Sequence, residues 1–288
     1  MKKLMILLSV LLMLPLSALA DLSDDYVVRV NSVSAEYESE TLRYEMLNCR
    51  VNGIPCYVTK VWMADPGRQI RKAISPWHES LSKAETLAAK IEGAALVING
   101  SGYVSPTYPA IPDNYPGTSE DYYYTPLGSL TIVDGEIYRN LAGVPYYGLT
   151  LEADGLHMYV GEDNETVLSH DPTQTWSFYD GCPMSLNGED LLDHDWYFVN
   201  RRFMRTIIAK LPEENTYVIV TVTDSKGMTL LDANNFINGE FHPEWVYDLD
   251  GGPSSTLFRR LYGKKTLALI FGAGQRIVDV MGFVELTD

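Results

Sequence analysis

After residue 25 the chain runs in short stretches where apolar and polar residues alternate: 26–30, 42–46 and 56–63. A period of two sends one set of side chains to a core and the other to solvent, so these stretches predict antiparallel strands. Asn52-Gly53, between the second and third, predicts a two-residue hairpin turn. Ser82 with Glu85 reads as a capping box for a helix that carries Leu87, Ala88 and Ile91 on its apolar face and ends at Gly93. The wholly apolar run 94–98 predicts a buried strand that empties into Asn99-Gly100-Ser101-Gly102-Tyr103. Further strands are expected at 128–133, 136–138, 156–160, 176–179, 205–210, 216–223, 245–249, 267–271 and 276–285, with a second helix at 229–237. Many strands and few helices predict an α+β fold of mixed, largely antiparallel sheets, one large domain with N-terminal strands packed on it. Residues 104–126, rich in Pro and Tyr, form a loop long enough to expect a functional role or disorder.

The ends and the charge narrow the picture. Lys2-Lys3, an apolar run to Leu16 and Ala18-Leu19-Ala20 have the form of a signal peptide cleaved before Asp21, so the protein is expected to be exported. The expected organisation is therefore 1–20 signal peptide, 21–83 N-terminal strand region and 84–288 main domain. No later stretch is apolar enough to span a membrane. The net charge of −16 repels phosphate backbones, which argues against nucleic acid as a partner. Cys49 and Cys56 flank the Asn52-Gly53 turn and are expected to face each other; an oxidising compartment favours a staple, and two buried thiols are the alternative. Cys182 reads as a small buried residue.

Two segments share one grammar, an apolar strand ending abruptly in a glycine-rich polar turn. One is 94–103. The other is 245–256, which ends Asp248-Leu249-Asp250-Gly251-Gly252-Pro253-Ser254-Ser255-Thr256. Strand ends hold polar groups rigidly, glycines admit a ligand to the backbone, and a Ser-Ser-Thr run opening a helical turn offers hydroxyls and N–H groups to an anion. The plainer reading of Asp-Gly-Gly is a capped turn. The five histidines are scattered without i, i+4 spacing, and Asp193-His194-Asp195 reads as a polar surface loop. No serine-hydrolase elbow is present.

Together these segments resemble the bacterial phosphodiester glycosidase domain, shared with the lysosomal enzyme that uncovers mannose 6-phosphate by removing N-acetylglucosamine. The matching pieces run in family order: Asn99 to Tyr103, Leu130 to Gly135, Pro183 to Gly188, Met204-Arg205-Thr206 with the strand that follows, Val220 to Lys226 with Asp224, Gly227 to Ala233, and Asp248 to Thr256. Asp248 stands where the family usually has Asn, Pro253 where it has a third Gly, Met204 where it has Pro, and Ser225-Lys226 where it has Gly-Arg.

The resemblance implies hydrolysis of a sugar 1-phosphodiester to free sugar and a phosphomonoester, with a sugar-phosphate diester or glycan as substrate, in envelope or exopolysaccharide metabolism. It implies Asp250, Asp224 and Arg205 as catalytic residues: Asp250 as base, nucleophile or cation stabiliser, Asp224 as a second carboxylate, Arg205 on the phosphate. Asn99, Tyr103, Thr206, Asp248, Gly251, Gly252, Ser254, Ser255 and Thr256 are the implied substrate-binding set, and Tyr122 to Tyr124 can wall a sugar site. No cofactor is specified, although the acidic loops leave room for a divalent cation. A non-catalytic carbohydrate-binding protein on the same fold and a metal-dependent phosphodiesterase remain the alternatives.

Overall fold

The computed structural model describes residues 28–178, 182–261, 264, 266–272 and 274–286. The expected signal peptide and its cleavage point lie outside the described residues. In chain order the elements are β1 (Val28–Glu38), β2 (Leu42–Val51), β3 (Ile54–Met63), helix α1 (Pro66–Gln69), β4 (Ile70–Ile74), β5 (Ser82–Lys83), α2 (Ala84–Ala88) and β6 (Ala94–Asn99). Next come β7 (Leu130–Val133), β8 (Glu136–Asn140), β9 (Tyr146–Glu152), β10 (Gly155–Glu162), α3 (Asn164–Leu168), β11 (Gln174–Ser177), β12 (Pro183–Leu186), β13 (Glu189–Asp190) and α4 (Tyr197–Asn200). The chain closes with β14 (Arg205–Lys210), β15 (Thr216–Val222), α5 (Leu230–Phe241), β16 (Trp245–Asp248), β17 (Thr256–Arg260), β18 (Leu267–Gly272), β19 (Arg276–Ile277) and β20 (Asp279–Val284).

An eight-stranded sheet runs β1-β2-β3-β15-β14-β16-β12-β13, and a five-stranded sheet runs β18-β17-β6-β20-β4. The α+β expectation holds, and every pairing between these strands is antiparallel. The N-terminal strands are woven in: β3 pairs with β15, and β4 with β20.

Alternation explains how the layers stack. Along β14, Ile208 points into the core between the sheets, while Ile207 and Ala209 point the other way onto Leu230, Ala233, Phe236 and Ile237 of α5. In the small sheet, Leu96, Ile98, Leu257, Met281 and Phe283 face the same central core, while Val97, Phe258 and Val280 pack on Leu87, Ala88 and Ile91 around α2. The order is helix, large sheet, small sheet, helix. Both sheets are therefore buried on both faces at their centres, which is why β6, β15 and β20 are buried at every position and mostly apolar instead of alternating.

Several local expectations change. The helix at 84–88 starts at Lys83 with no side-chain cap, because Ser82 pairs as a strand with Ile277. The second helix does begin on Thr229, whose hydroxyl accepts from Asp232 N at 2.9 Å, but it runs on to Phe241. The helical turn expected from Ser254 is a single 3-10 turn at Gly252–Ser254, and the chain then enters strand β17. Cys49 and Cys56 sit directly opposite each other as free, buried thiols with Sγ atoms 3.4 Å apart, so the facing holds and the staple is not formed. The loop over 104–126 carries its own small core of Val104, Tyr122 and Leu127. Arg139 reaches beneath it to Pro126 O and Thr125 Oγ1, both at 2.6 Å. Tyr122 is buried there and donates to Pro116 O, so it does not wall a sugar site. Among the described residues no helix is long and apolar enough to cross a membrane.

Candidate active site

Antiparallel pairing brings five strand ends to one rim: the ends of β6 (Asn99) and β16 (Asp248), and the beginnings of β14 (Arg205), β17 (Thr256) and β20 (Asp279). The 250–256 turn bridges the two sheets there. Asp250 N donates to Gly100 O at 3.0 Å, Leu249 N to Thr206 O at 2.8 Å, and Gly252 N to Met204 O at 2.8 Å. Glycine is required at two of these places. Gly252 sits at φ +59°, in the left-handed region, and a Cβ on Gly100 would lie 2.1 Å from Asp279 Oδ1 and 2.7 Å from Trp176 Cδ1.

Asn99 is the knot. Its Nδ2 donates to Asp250 O at 2.6 Å, and its Oδ1 accepts from Thr206 Oγ1 at 2.7 Å and from Thr256 N at 2.9 Å. The side chain is buried and ties both sheets to the turn, so Asn99 and Thr206 hold the frame instead of facing a ligand. Thr256 is buried as well, and its hydroxyl donates to Ser254 O.

Arg205 was expected on a substrate phosphate, and its contacts are internal. Nη1 meets Asp248 Oδ2 at 3.2 Å, Nη2 donates to Arg201 O at 2.9 Å and Phe198 O at 3.1 Å, and Nε donates to Met228 O at 3.4 Å. Its guanidinium lies over the Phe198 and Phe203 rings, 4.4 and 5.1 Å from their centroids. Both Arg205 and Asp248 are fully buried, and burial pushes the Asp248 carboxyl up to about 7 against the opposing pull of Arg205. Asp248 Oδ1 and Ser255 Oγ are buried with no hydrogen-bond partner among the described residues.

Asp250 is the half-buried carboxyl at the mouth. Its Oδ1 accepts from Gly251 N at 2.8 Å. Burial lifts it to about 7; Ser254 and Gly251 pull it down, and the charges of Asp248 and Asp279 push it further up. Tyr103 shares this mouth: burial and the Asp250 charge raise its phenol to about 12, and its hydroxyl donates to Arg276 O at 3.0 Å. Asp224 stands apart from this knot in its own turn, where it accepts from Lys226 N at 2.8 Å.

Sequence reading missed a second buried ion pair and an aromatic wall. Lys72 Nζ and Asp279 Oδ2 are 2.9 Å apart and wholly buried, and Ser101 closes on the same carboxylate through N at 2.6 Å and Oγ at 2.8 Å. Phe178, which covers Gly102, packs edge-on to Phe198, and Phe198 also meets Trp196 and Phe203. The signal available in sequence was the aromatic density of 196–203; nothing local pointed from Lys72 to Asp279.

An acid-bearing turn is thus clamped between two antiparallel sheets and carries a half-buried carboxyl near neutrality on a two-sheet α+β scaffold. The fold matches the catalytic domain of zebrafish N-acetylglucosamine-1-phosphodiester alpha-N-acetylglucosaminidase, solved in a form auto-inhibited by its pro-peptide. The TM-score is 0.63 at 17% identity, over 91% of this chain and 88% of that one. A hypothetical protein from Synechocystis is similar at TM-score 0.50 and 13% identity, over 90% of this chain and 68% of that one. No curated protein matches the sequence. The phosphodiester glycosidase family model matches residues 92–283, and the chain belongs to that family.

Proposed function

We propose that the protein is an exported hydrolase that cleaves a sugar 1-phosphodiester at the bond between the anomeric carbon and oxygen, with Asp250 as its acid–base group. The observation that carries this reading is Asp250 itself, half-buried at the rim with a carboxyl raised to about 7, so that it exchanges a proton near neutral pH. In the proposed step water attacks C1, Asp250 takes the water proton, and the bonding electrons leave with the phosphate oxygen. The departing phosphomonoester is a good leaving group, so one carboxyl suffices for proton transfer.

Family membership supports a glycan-type substrate, and Phe178, which packs edge-on to Phe198, is the aromatic side chain assigned to the sugar. Arg205, held by Asp248 and three carbonyls, is assigned a positioning role: it fixes the turn that carries Asp250. The phosphate is assigned to Arg201, which is exposed and whose guanidinium stacks over Tyr197 and Phe203, 5.2 and 4.8 Å from their centroids. Asp224, held in its own turn by Lys226 N, is assigned the part of an outer carboxylate.

The test is release of free sugar from N-acetylglucosamine 1-phosphodiesters and related diesters, with wild type and Asp250→Asn compared. The expected loss in kcat is about 100- to 10,000-fold. Near-normal turnover by a folded Asp250→Asn variant would remove Asp250 from the chemistry. Sugar 1-phosphate as product would reassign the bond that breaks.

A further inference from the structure

The hairpin β9–β10 lies at the opposite ends of the strands from Asp250. Its turn docks on Tyr217, whose hydroxyl accepts from Leu156 N at 3.1 Å. Tyr217 pairs with Lys210, at the far end of β14 from Arg205. On one face of this hairpin Glu152, Asp154 and His157 point one ligand atom each into a common space, all within 4.8 Å of one another. His157 Nε2 is 2.7 Å from Asp154 Oδ1 and 3.8 Å from Glu152 Oε2. A fourth group stands just outside that cluster, on the segment after α3: His170 Nδ1 is also 3.8 Å from Glu152 Oε2.

We infer that Glu152, Asp154, His157 and His170 form a binding site for a zinc-like divalent cation that pins the β9–β10 turn to the segment after α3. Three features carry the inference. The donor set, two imidazoles and two carboxylates, is that of zinc and its transition-metal neighbours, not of calcium or magnesium, which take oxygen ligands. Glu152 is only 7% exposed, and its two oxygens are divided: Oε1 accepts from Thr150 Oγ1 and Tyr159 OH, both at 2.8 Å, while Oε2 faces both histidines. That is the arrangement of a metal carboxylate whose outer oxygen is held by hydrogen bonds. The spacing is also close to what a metal needs. A tetrahedral zinc with bonds of about 2.0–2.1 Å sets its ligand atoms roughly 3.3–3.4 Å apart, so the 3.8 Å edges must shorten, the 2.7 Å His157–Asp154 edge must open and the His170 imidazole must swing inward, all by side-chain rotation. His157 and His170 are half-exposed, which leaves an entry path from solvent. The Tyr159 ring, 5.9 Å from the His170 ring, limits where that imidazole can swing.

The inference is independent of the glycosidase reading, and its readout is binding and stability. Full-length protein freed of metal with a chelator is titrated with Zn²⁺ and with Co²⁺, following stoichiometry, the visible Co²⁺ spectrum and the thermal midpoint. One ion per chain, a tetrahedral Co²⁺ spectrum and a midpoint that rises with Zn²⁺ are expected. His170→Ala, at an exposed position that the fold tolerates, abolishes the midpoint shift, and Tyr159→Phe weakens Zn²⁺ binding about 10- to 100-fold. Absence of stoichiometric binding, equal binding by the His170→Ala variant, or an equal response to Ca²⁺ overturns the site and leaves a His157–Asp154 ion pair in its place.

Discussion

Two buried ion pairs flank the candidate site, one at the rim of each sheet, and they are not equivalent. In the small sheet, Asp279 is saturated: Oδ1 accepts from Ser101 N, and Oδ2 from Ser101 Oγ and Lys72. In the large sheet, Asp248 meets Arg205 through Oδ2, and its Oδ1 is buried without a partner among the described residues. The difference separates a lock from a poised group. Desolvating a carboxylate costs several kcal/mol, and only full hydrogen bonding with a counter-charge offsets it. Asp279 has that compensation. Asp248 has half of it, and the shortfall appears as a carboxyl raised to about 7.

The comparison breaks most severely at Asp279. Asp279→Ala leaves Lys72 buried without its carboxylate and cuts the tether of the Gly100–Ser101 turn. The expected loss is about 3–5 kcal/mol in denaturant unfolding, and a loss below about 1 kcal/mol would mean that the pair is no lock. Arg205→Met tests the other side through pH. Because the folded Asp248 pKa is raised from 3.8 to about 7, the folded state holds a proton that the unfolded state has released. Stability contributed by this group therefore falls as pH climbs through that window, and it is level above it. Removing Arg205 raises Asp248 further, so the variant's deficit is smaller at pH 5 than at pH 8. The expected growth is roughly 1.4 kcal/mol per additional pKa unit. Parallel pH profiles for variant and wild type would contradict the assignment. The smallest effect lies in the serines. Ser101→Ala removes a donor to Asp279 and costs about 1–3 kcal/mol. Ser255→Ala removes a buried hydroxyl that has no partner and stays within about 0.5 kcal/mol. Equal costs for the two would mean that the Ser101 bonds to Asp279 add nothing to the lock.

Sequence pattern reached the fold where local signals and tertiary structure agree. The 205–210 strand, the Asn52-Gly53 hairpin with Asn52 at φ +49° and Gly53 at φ +81°, and the helix starting at Thr229 are all present. It failed where pairing overrides the local signal. Ser254-Ser255-Thr256 looks like a helix start, yet Thr256 to Arg260 is held between β6 and β18. Strand β9 escaped notice because Gly148 interrupts its pattern; a Cβ there would lie 2.6 Å from Trp176 O. The site residues were legible as a set, since strand ends followed by Gly-rich turns stand out. Their individual duties were not. Whether an arginine faces a ligand or three backbone carbonyls depends on segments that the local sequence cannot place, and Lys72 and Asp279 meet across most of the chain.

The hydrogen bonds of Asn99 span 107, 151 and 157 residues. Loop closure over such separations is slow, and the small sheet itself pairs Ile98 with Leu257 and Asn99 with Val280, so this sheet and the mouth close together. The candidate mouth therefore has no local precursor. Burial of tyrosine and tryptophan should return first during refolding, hydrolytic activity last, and a stalled intermediate would be compact and inert. Activity in this chain is a clock that starts only when the final interface has closed.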